Sequence, residues 1–286
     1  MPSRRENDHL QLRADDAQLS LDPYQGGAVR AYRCGGREVL RAGAADASDP
    51  FALASFPMVP YANRIVGGCF QSGVHSVRLR PNWDGDPHPL HGQGWRGHWR
   101  VLDSSAAAAS LEFQGGGDEW PWRYRAQQRF ELSATSLVMS LEVENLSPSP
   151  MPAMLGLHPY FPDAARAELH ARLPRVWRTD EAALPLEECP TPAAWSFDSG
   201  RPIGATPLDH CFSGWDGAAV LRWPDRVLTL RAENCHFLQV YAPAACEFFC
   251  LEPQTAATGA IGRGEAPLLQ QGERLGMRLR LDCGEP

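Results

Sequence analysis

The sequence predicts an all-β protein built from antiparallel strands. Its first support is a period-two alternation of apolar and polar residues that recurs in short segments along the chain. The second support is composition, because 26 Gly and 25 Pro among 286 residues leave few stretches long enough for a capped helix. Clusters of Gly, Pro, Asn and Asp also separate the alternating segments, as turns separate strands. We therefore expect few or no helices.

Eight segments show the alternation most clearly. In chain order they are "HLQLRA" (9–14), "AVRAYR" (28–33), "RYRAQQRFEL" (123–132), "LVMSLEVEN" (137–145), "AVLRWP" (219–224), "RVLTLRAE" (226–233), "FLQVYAP" (237–243) and "MRLRLD" (277–282). With the shorter runs between them, they predict about fifteen or more strands. No low-complexity linker divides them, so we expect residues 1–286 to form a single large antiparallel β-sandwich domain. The lack of a repeat of fixed period argues against a propeller.

The composition is that of an ordinary globular protein, and it excludes several classes of partner. Apolar residues make up 43% of the chain and charged residues 21%, and no apolar run approaches the ~20 residues that span a bilayer. The formal net charge of -7 argues against a nucleic-acid partner, which would need a basic surplus. The polar start "MPSRRENDHLQLRADD" lacks the apolar core of a secretory signal. We therefore expect a cytoplasmic protein without a membrane partner.

Eight cysteines are scattered through the chain without a C-x-x-C pair. Because no export signal accompanies them, reduced thiols are expected. Cys246 and Cys250 lie in "CEFFCLEP", where they fit a strand packed on apolar neighbours better than a zinc site. The cysteines thus predict neither a disulfide framework nor a bound metal.

Three segments are predicted to be connections longer than a hairpin turn: 43–64, 81–96 and 178–216. Long loops on a rigid β scaffold are where sites tend to be built. The first segment closes with "FPMVPYANRI", where prolines stiffen the approach to Arg64. The planar guanidinium of Arg64 is suited to holding a ligand oxygen, and equally to pairing with a surface carboxylate.

The second loop, "RPNWDGDPHPLHGQGWRGHW", combines histidines with glycines and tryptophans. Aromatic faces pack on the C–H faces of a sugar ring while imidazoles and amides address its hydroxyls, so this composition favours a carbohydrate site. A metal cluster, or a glycine-rich turn stabilised by aromatic packing, would have the same composition. The histidines concerned are His88, His91 and His98.

Three further titratable residues stand beside apolar segments. His158 interrupts "MLGLHPYFPD" (154–163), where a strand runs into a turn, and either a hydrogen-bonded structural histidine or a catalytic one fits there. Asp209 lies in "PLDHCFSGW", at the end of the third loop. Glu252 directly follows the apolar strand "EFFCL", where partial desolvation would raise its pKa toward the range of a general base. A carboxylate that caps a turn is also common at such a position.

Six short motifs follow one another along the chain: "VPYANRI", "HPLHGQGW", "LGLHPYF", "LDHCF", "FLQVYAP" and "CLEPQT". From roughly Phe56 to Gln254, the chain resembles the aldose 1-epimerase (galactose mutarotase) family in the order and approximate spacing of these motifs. It departs from that family in "HGQG", where "HGG" is commoner, and in "LGLHPYF", which replaces the "NHSYF" type of the galactose-acting branch. These departures leave the preferred sugar open.

The resemblance implies a large antiparallel β supersandwich and an isomerase that interconverts the α and β anomers of an aldose without a metal or an organic cofactor. By position, Arg64 and His91 correspond to residues that hold sugar hydroxyls, and Asp209 to a carboxylate that binds a hydroxyl. His158 corresponds to the catalytic acid and Glu252 to the catalytic base.

The implied chemistry opens and recloses the sugar ring. Glu252 takes the proton of the C1 hydroxyl while protonated His158 gives a proton to the ring oxygen, and rotation about C1–C2 precedes closure to the other anomer. Gln239 lies in a matching strand and is expected to contact the sugar. The expected partner is therefore a small-molecule monosaccharide, and the expected assembly is a monomer or a homodimer.

Three alternatives stay open. A hexose-6-phosphate mutarotase would keep the acid and the base and add a basic pocket, for which four arginines near the second loop are available: Arg64, Arg78, Arg80 and Arg96. A non-catalytic carbohydrate-binding protein would have no need of a paired acid and base. A metal-dependent β enzyme would use His88, His91 and Glu252, although two histidines three positions apart do not suit one face of a strand.

Overall fold

The computed structural model describes residues 9–44, 47, 49–245 and 247–286. Parts of three predictions lie outside the described residues: the polar start over 1–8, positions 45, 46 and 48 of the first long loop, and Cys246 in its apolar segment. The described part contains 25 strands and one α-helix, α1 (Ala260–Arg263), so the predicted all-β class is confirmed. None of the helices in this part has both the length and the apolar character needed to cross a membrane.

Short strands follow one another along the chain. In order they are β1 (Leu10–Ala14), β2 (Ala17–Asp22), β3 (Ala28–Cys34), β4 (Arg37–Leu40), β5 (Pro57–Met58), β6 (Cys69–Ser72), β7 (His75–Arg78), β8 (Arg100–Ser104), β9 (Ala108–Gly115), β10 (Tyr124–Leu132), β11 (Ser136–Asn145), β12 (Met151–Pro152), β13 (Gly156–Leu157), β14 (Tyr160–Pro162), β15 (Glu168–Ala171), β16 (Arg175–Thr179), β17 (Pro185–Pro190), β18 (Phe197–Pro202), β19 (Leu208–Ser213), β20 (Ala218–Trp223), β21 (Arg226–Glu233), β22 (Phe237–Ala242), β23 (Phe248–Gln254), β24 (Leu268–Leu269) and β25 (Arg274–Gly284). Each of the eight alternating segments coincides with one of these strands, which confirms the period-two pattern as a strand signal.

Two large antiparallel sheets dominate the molecule. The nine-stranded sheet has the order β18-β15-β20-β21-β25-β11-β10-β9-β8. The eight-stranded sheet has the order β17-β16-β19-β22-β23-β13-β5, and β14 also pairs with β23. A four-stranded sheet, β1-β2-β3-β4, and the pairs β6-β7 and β12-β24 complete the described strands. Neighbouring strands often come from distant parts of the chain, so residues far apart in sequence can meet in one site.

The alternation of the strands explains the core. In β10, for example, Tyr124, Ala126, Gln128 and Phe130 are buried, and the residues that alternate with them are more exposed. Leu279 of β25 and Leu238 of β22 belong to one continuous cluster of buried apolar side chains. Because β25 and β22 lie in different large sheets, both sheets contribute to the same core. The extent of the domain, residues 1–286, stays a prediction.

The prediction of a long loop over 178–216 is wrong. This segment contains β17, β18 and β19, and β17 and β18 expose so many residues that their sequences do not alternate visibly. Asp209 therefore lies inside β19 and not at the end of a loop. Glu252 likewise lies inside β23 and not just beyond a strand, so that part of the prediction is wrong as well. The second long connection, 81–96, is confirmed, and it contains a single 3-10 turn, Gly94–Arg96.

Candidate active site

A cavity of about 330 Å³ lies where the central strands of the eight-stranded sheet meet the first two long loops. His88 and His98 do not line it, whereas the six residues to which the family resemblance assigned a role all do: Arg64, His91, His158, Asp209, Gln239 and Glu252. Asp209, Gln239 and Glu252 come from β19, β22 and β23, which are consecutive neighbours in the sheet. The two loops and the turn between β13 and β14 provide the others.

The imidazole of His158 and the carboxyl of Glu252 are in direct contact. Nε2 of His158 lies 3.2 Å from Oε1 of Glu252, and both side chains are buried. The strand register explains this meeting. Gly156 pairs with Gln254 and Tyr160 pairs with Cys250, so the same antiparallel register puts His158 opposite Glu252.

Burial shifts the pKa values of His158 and Glu252 in opposite directions. It raises the pKa of Glu252 well above its ordinary value, and the charge of Asp209 adds to the rise while that of Arg64 opposes it. Burial lowers the pKa of His158 to about 3, against the opposing effect of its own backbone carbonyl, and the charge of Arg41 lowers it further. Since both charged forms are penalised, the pair retains one transferable proton over a wide pH range.

Two aromatic rings pack against the His158 imidazole. The ring centroid of Phe56 lies 4.5 Å away and that of Tyr160 lies 4.7 Å away. The backbone N–H of His158 donates to Phe56 O at 3.0 Å, and the N–H of Tyr160 donates to Ala54 O at 2.9 Å. The ring and the backbone of His158 are thus both fixed to the segment that precedes β5.

Gln239 stands opposite Glu252 in the register of β22 and β23. Its Nε2 donates to Asp209 Oδ1 at 2.6 Å, and its Oε1 accepts from Thr258 Oγ1 at 3.3 Å, so the amide has one defined orientation. Burial raises the pKa of Asp209, while the charge of Arg64 and the hydrogen bond from Gln239 oppose that rise. An amide and a carboxyl side by side offer a donor and an acceptor, which is what a sugar hydroxyl requires.

Arg64 lines the cavity and also forms an ion pair. Its Nε donates to Asp86 Oδ2 at 2.6 Å, and its side chain is 26% exposed. Asp86 Oδ1 accepts the backbone N–H of His88 at 2.9 Å, which fixes the carboxylate within the second loop. The pairing with a carboxylate is therefore confirmed, and it orients the guanidinium beside the cavity, while the binding of a ligand oxygen by Arg64 stays a prediction.

A reciprocal pair of hydrogen bonds joins the two loops. The Asn63 N–H donates to His91 Nδ1 at 3.1 Å, and the His91 N–H donates to Asn63 O at 3.1 Å. Both residues have positive φ, 59° and 56°, a strained conformation that the surrounding contacts must hold. Burial lowers the pKa of His91, and the charges of His158 and Arg64 act in the same direction. His91 is therefore neutral, and because Nδ1 accepts a hydrogen bond, Nε2 carries the hydrogen.

Four aromatic residues that the sequence did not single out also line the cavity: Phe51, Tyr160, Tyr241 and Phe248. The tryptophans of the second loop support this wall from behind. Trp95 is fully buried, and both Trp95 and Trp83 have ring centroids 5.1 Å from that of Phe51. Tyr160, Tyr241 and Phe248 lie in apolar strands, where aromatic residues look like core in a sequence, and Phe51 lies in a 3-10 turn of the first long loop. No local signal could have identified them.

Arg41 is a further residue that sequence reasoning missed. Its guanidinium carbon lies 4.0 Å from the ring centroid of Tyr160 and 4.5 Å from that of Phe248. Its Nη2 donates to the carbonyls of Phe51 at 2.7 Å and Leu53 at 3.1 Å. Arg41 thus ties together three parts of the cavity wall, although no motif surrounds it in the sequence.

The structure does not assemble the metal ligands of the alternative that combined His88, His91 and Glu252. His88 Nδ1 accepts the backbone N–H of Gly67 at 3.0 Å and does not line the cavity. In the described part of the chain, one group of side chains has spacing suited to a metal ion: His158, Cys250 and Glu252, whose ligand atoms lie within 4.8 Å of one another. A metal there would occupy the acid–base contact itself.

Comparison with known sequences gives three matches. A sequence model described as aldose 1-epimerase matches residues 10–282. The uncharacterized protein YphB of Escherichia coli K12 is 32% identical over 249 residues, which cover 82% of this chain and 83% of YphB. The uncharacterized protein YihR of the same organism is 24% identical over 244 residues, or 78% of this chain and 77% of YihR.

Solved structures show the same architecture. A candidate aldose 1-epimerase of Escherichia coli K12 superposes with a TM-score of 0.91 at 26% identity, over 97% of this chain and 99% of that one. A galactose mutarotase-like protein of Clostridium acetobutylicum gives 0.88 at 18% identity, over 99% and 98% of the two chains. A galactose 1-epimerase of Lactobacillus acidophilus NCFM gives 0.82 at 18% identity, over 99% and 97%. The last two similarities establish the fold alone, and the predicted supersandwich is confirmed.

Proposed function

Because the chain belongs to the aldose 1-epimerase family, we propose that it interconverts the α and β anomers of a free aldose. The observation that carries this proposal is the 3.2 Å contact between His158 and Glu252 inside a cavity of about 330 Å³. Opening a pyranose ring requires an acid and a base at the same time, whereas sugar binding alone requires neither.

Ring opening proceeds by two proton movements. Glu252 accepts the proton of the C1 hydroxyl, and the electrons of that O–H bond form the carbonyl of the open aldehyde. The C1–O5 bond breaks, and its electrons take up a proton from His158. Rotation about C1–C2 presents the other carbonyl face, and closure with the roles reversed gives the other anomer.

The protonation state of the pair suits this cycle. In the resting pair the single proton lies on Glu252, because burial raises the pKa of Glu252 and lowers that of His158, and the cycle starts once this proton has moved across the 3.2 Å contact to His158. His158 then transfers it to O5 while Glu252 gains one from O1, so the pair still holds one proton after the ring has opened. Closure returns both protons to their starting positions, and no external acid or base is consumed. Each positioned proton transfer of this kind is typically worth about 10²–10⁴ in rate.

The remaining residues of the cavity are assigned to the sugar hydroxyls and ring faces. Asp209 accepts hydrogen bonds, Gln239 and neutral His91 donate them, and Arg64 offers the guanidinium hydrogens that Asp86 leaves free. The aromatic wall provides apolar surface for the C–H faces of the sugar. This division of labour is supported by the lining of the cavity and by the hydrogen bonds that fix each side chain.

The charges favour a free aldose over a sugar phosphate. Among the described residues that line the cavity, Arg64 is the one permanent cation, and its Nε is already bonded to Asp86. The His158–Glu252 pair, which holds one proton, adds no net positive charge to the cavity, and an ionised Asp209 carboxylate there would repel a phosphate dianion. Phosphate sites of this kind usually need two or more convergent cations.

The other arginines considered for a phosphate pocket lie elsewhere. Arg96 pairs with Glu119 at 3.2 Å. Arg78 and Arg80 are exposed and do not line the cavity. A hexose-6-phosphate mutarotase is therefore the weaker alternative.

Exchange NMR and polarimetry on α-glucose, α-galactose, L-arabinose and glucose 6-phosphate test the proposal. We expect the protein to accelerate anomer exchange above its spontaneous rate for at least one free aldose and not for glucose 6-phosphate. This acceleration should be unchanged after treatment with a chelator. Sugar binding without exchange would point to a carbohydrate-binding protein. Activity lost to the chelator and restored by added metal would point to metal catalysis.

A further inference from the structure

A second cavity, of about 370 Å³, shares no lining residue with the candidate active site. It is bounded by the β3–β4 hairpin, by residues 134 and 135 between β10 and β11, and by the C-terminal strand β25. Cys34, the last residue of β3, and Cys283 of β25 both line this cavity, and both are partly exposed. The proposed sugar chemistry uses neither thiol.

Several contacts place these thiols side by side. Cys34 Sγ lies 3.5 Å from Ala134 O, and the next carbonyl, Thr135 O, accepts the backbone N–H of Cys283 at 2.8 Å. The hydroxyl of Tyr32, which shares one face of β3 with Cys34, lies 3.5 Å from Cys283 Sγ. The Cys34 thiol lies near enough to Cys283 to raise the pKa of the Cys283 thiol.

We propose that Cys34 and Cys283 form a reversible intramolecular disulfide when the protein meets an oxidising low-molecular-weight disulfide such as glutathione disulfide. The four-stranded sheet contains β3, and the nine-stranded sheet contains β25. The bond therefore links two different sheets, through two strands that most of the chain separates.

The reaction is two successive thiol–disulfide exchanges. The thiolate of Cys34 attacks one sulfur of the small disulfide, whose S–S bond breaks and releases one small thiol. The thiolate of Cys283 then attacks the Cys34 sulfur of the mixed disulfide and displaces the second small thiol. The protein loses two protons and two electrons, and the small disulfide gains them.

The surroundings of Cys34 and Cys283 determine which thiol reacts first with the small disulfide. Burial raises the pKa of Cys283 to about 12, so little of its thiolate is present at neutral pH to attack a reagent from solution. Cys283 attacks instead within the mixed disulfide, where the Cys34 sulfur lies in the same cavity. Cys34 precedes the turn residues Gly35 and Gly36, both with positive φ, and no protein atom lies within 4 Å of a Cβ built at either. This open hairpin gives a small reagent access to Cys34.

The test is incubation of the purified full chain with oxidised glutathione, followed by intact-mass measurement and peptide mapping without reductant. We expect the loss of the mass of two hydrogen atoms, a Cys34–Cys283 cross-linked peptide, and reversal by dithiothreitol. The oxidised form should unfold roughly 5 °C higher than the reduced form, because the disulfide closes a long loop. The wild-type peptide map decides the proposal even if a variant folds poorly.

Matched variants locate the bond. Cys34→Ala and Cys283→Ala should each lose the cross-link, and Cys69→Ala, which removes an exposed cysteine away from this cavity, should keep it. Mixed glutathione disulfides at Cys34 or Cys283 without a cross-link would overturn the proposal. Unmodified Cys34 and Cys283 in a protein whose Cys69 has reacted would overturn it as well.

Discussion

His158 and Glu252 occupy facing positions in the β13–β14 and β23 register, and they touch through Nε2 and Oε1 at 3.2 Å. Glu252→Gln keeps the shape and the hydrogen-bonding reach but cannot accept a proton. We expect kcat to fall by about 10²-fold or more while sugar affinity changes little, because the lost interaction matters mainly in the transition state. Exchange NMR measures the first quantity and calorimetric titration the second. Wild-type turnover in this variant would contradict the assigned roles.

His158→Asn tests the acid in the same way. The amide can still reach Glu252, but it has no proton to give to the ring oxygen, so we expect a similar fall in kcat with sugar affinity retained. Asp209→Asn is the control, since it should mainly weaken sugar binding and so raise KM. If His158→Asn raised KM and left kcat unchanged, His158 would be a binding residue.

The pH dependence follows from the requirement that the pair hold one proton. His158 takes up a second proton for the pair only in strong acid, because its pKa is lowered to about 3. Glu252 loses the pair's last proton only at a pH far above the ordinary carboxyl range, because its pKa is raised. We expect kcat/KM, corrected for spontaneous mutarotation, to stay within about twofold from about pH 5 to about pH 7. A donor with an ordinary histidine pKa would lose activity above about pH 6.5. A decline centred there would therefore contradict this account.

Asp86→Asn tests whether the ion pair orients Arg64. The charged hydrogen bond to Asp86 Oδ2 at 2.6 Å is lost in this variant, and the guanidinium becomes free to turn away from the cavity. We expect KM to rise about 10-fold with a much smaller change in kcat, as befits the loss of one charge-assisted hydrogen bond. Glu119→Gln removes the more exposed pair with Arg96 and should leave both constants unchanged. Equal effects of the two changes would rule out a specific role for Asp86.

Arg41→Met tests the support of the cavity wall. The methionine side chain can still pack on the ring of Tyr160, but it cannot donate the hydrogen bonds to the carbonyls of Phe51 and Leu53. We therefore expect kcat/KM to fall by about 10-fold. The charge of Arg41 lowers the pKa of His158, and its removal should shift the acid limb of the pH profile to higher pH. Arg80→Met, at an exposed position, is the matched control. An unchanged pH profile would show that Arg41 acts through packing alone.

The strands and the site residues could be predicted from the sequence because their signals are local. Period-two alternation marks each strand that buries one face, as β10 does. The motifs around Arg64, His91, His158, Asp209 and Glu252 carry the family resemblance, and these residues do meet in one cavity. The cytoplasmic location, the absence of a nucleic-acid partner and the oligomeric state stay predictions.

The features that could not be predicted depend on contacts between distant segments. Asp209 was placed at the end of a loop because β17 and β18 do not alternate visibly, and Glu252 just beyond a strand because it interrupts an apolar run. Each side chain instead faces the cavity from within its strand. Arg41 acquires its role only when Phe248, over two hundred positions away, packs against it. In the sequence, nothing distinguishes Asp86 from the other acidic residues of its loop, and only the fold shows that it pairs with Arg64.

The bonds between the first two loops have a consequence for engineering the sugar preference. Arg64 forms a backbone bridge with Leu90, and Asn63 exchanges hydrogen bonds with His91, so segments 56–65 and 82–95 hold each other in shape. If one segment alone were replaced by that of a relative, its hydrogen-bond donors and acceptors would face a segment whose sequence does not match them. Segments 56–65 and 82–95 therefore form one structural unit on the β scaffold. We expect that replacing both together, and not either alone, transfers a sugar preference.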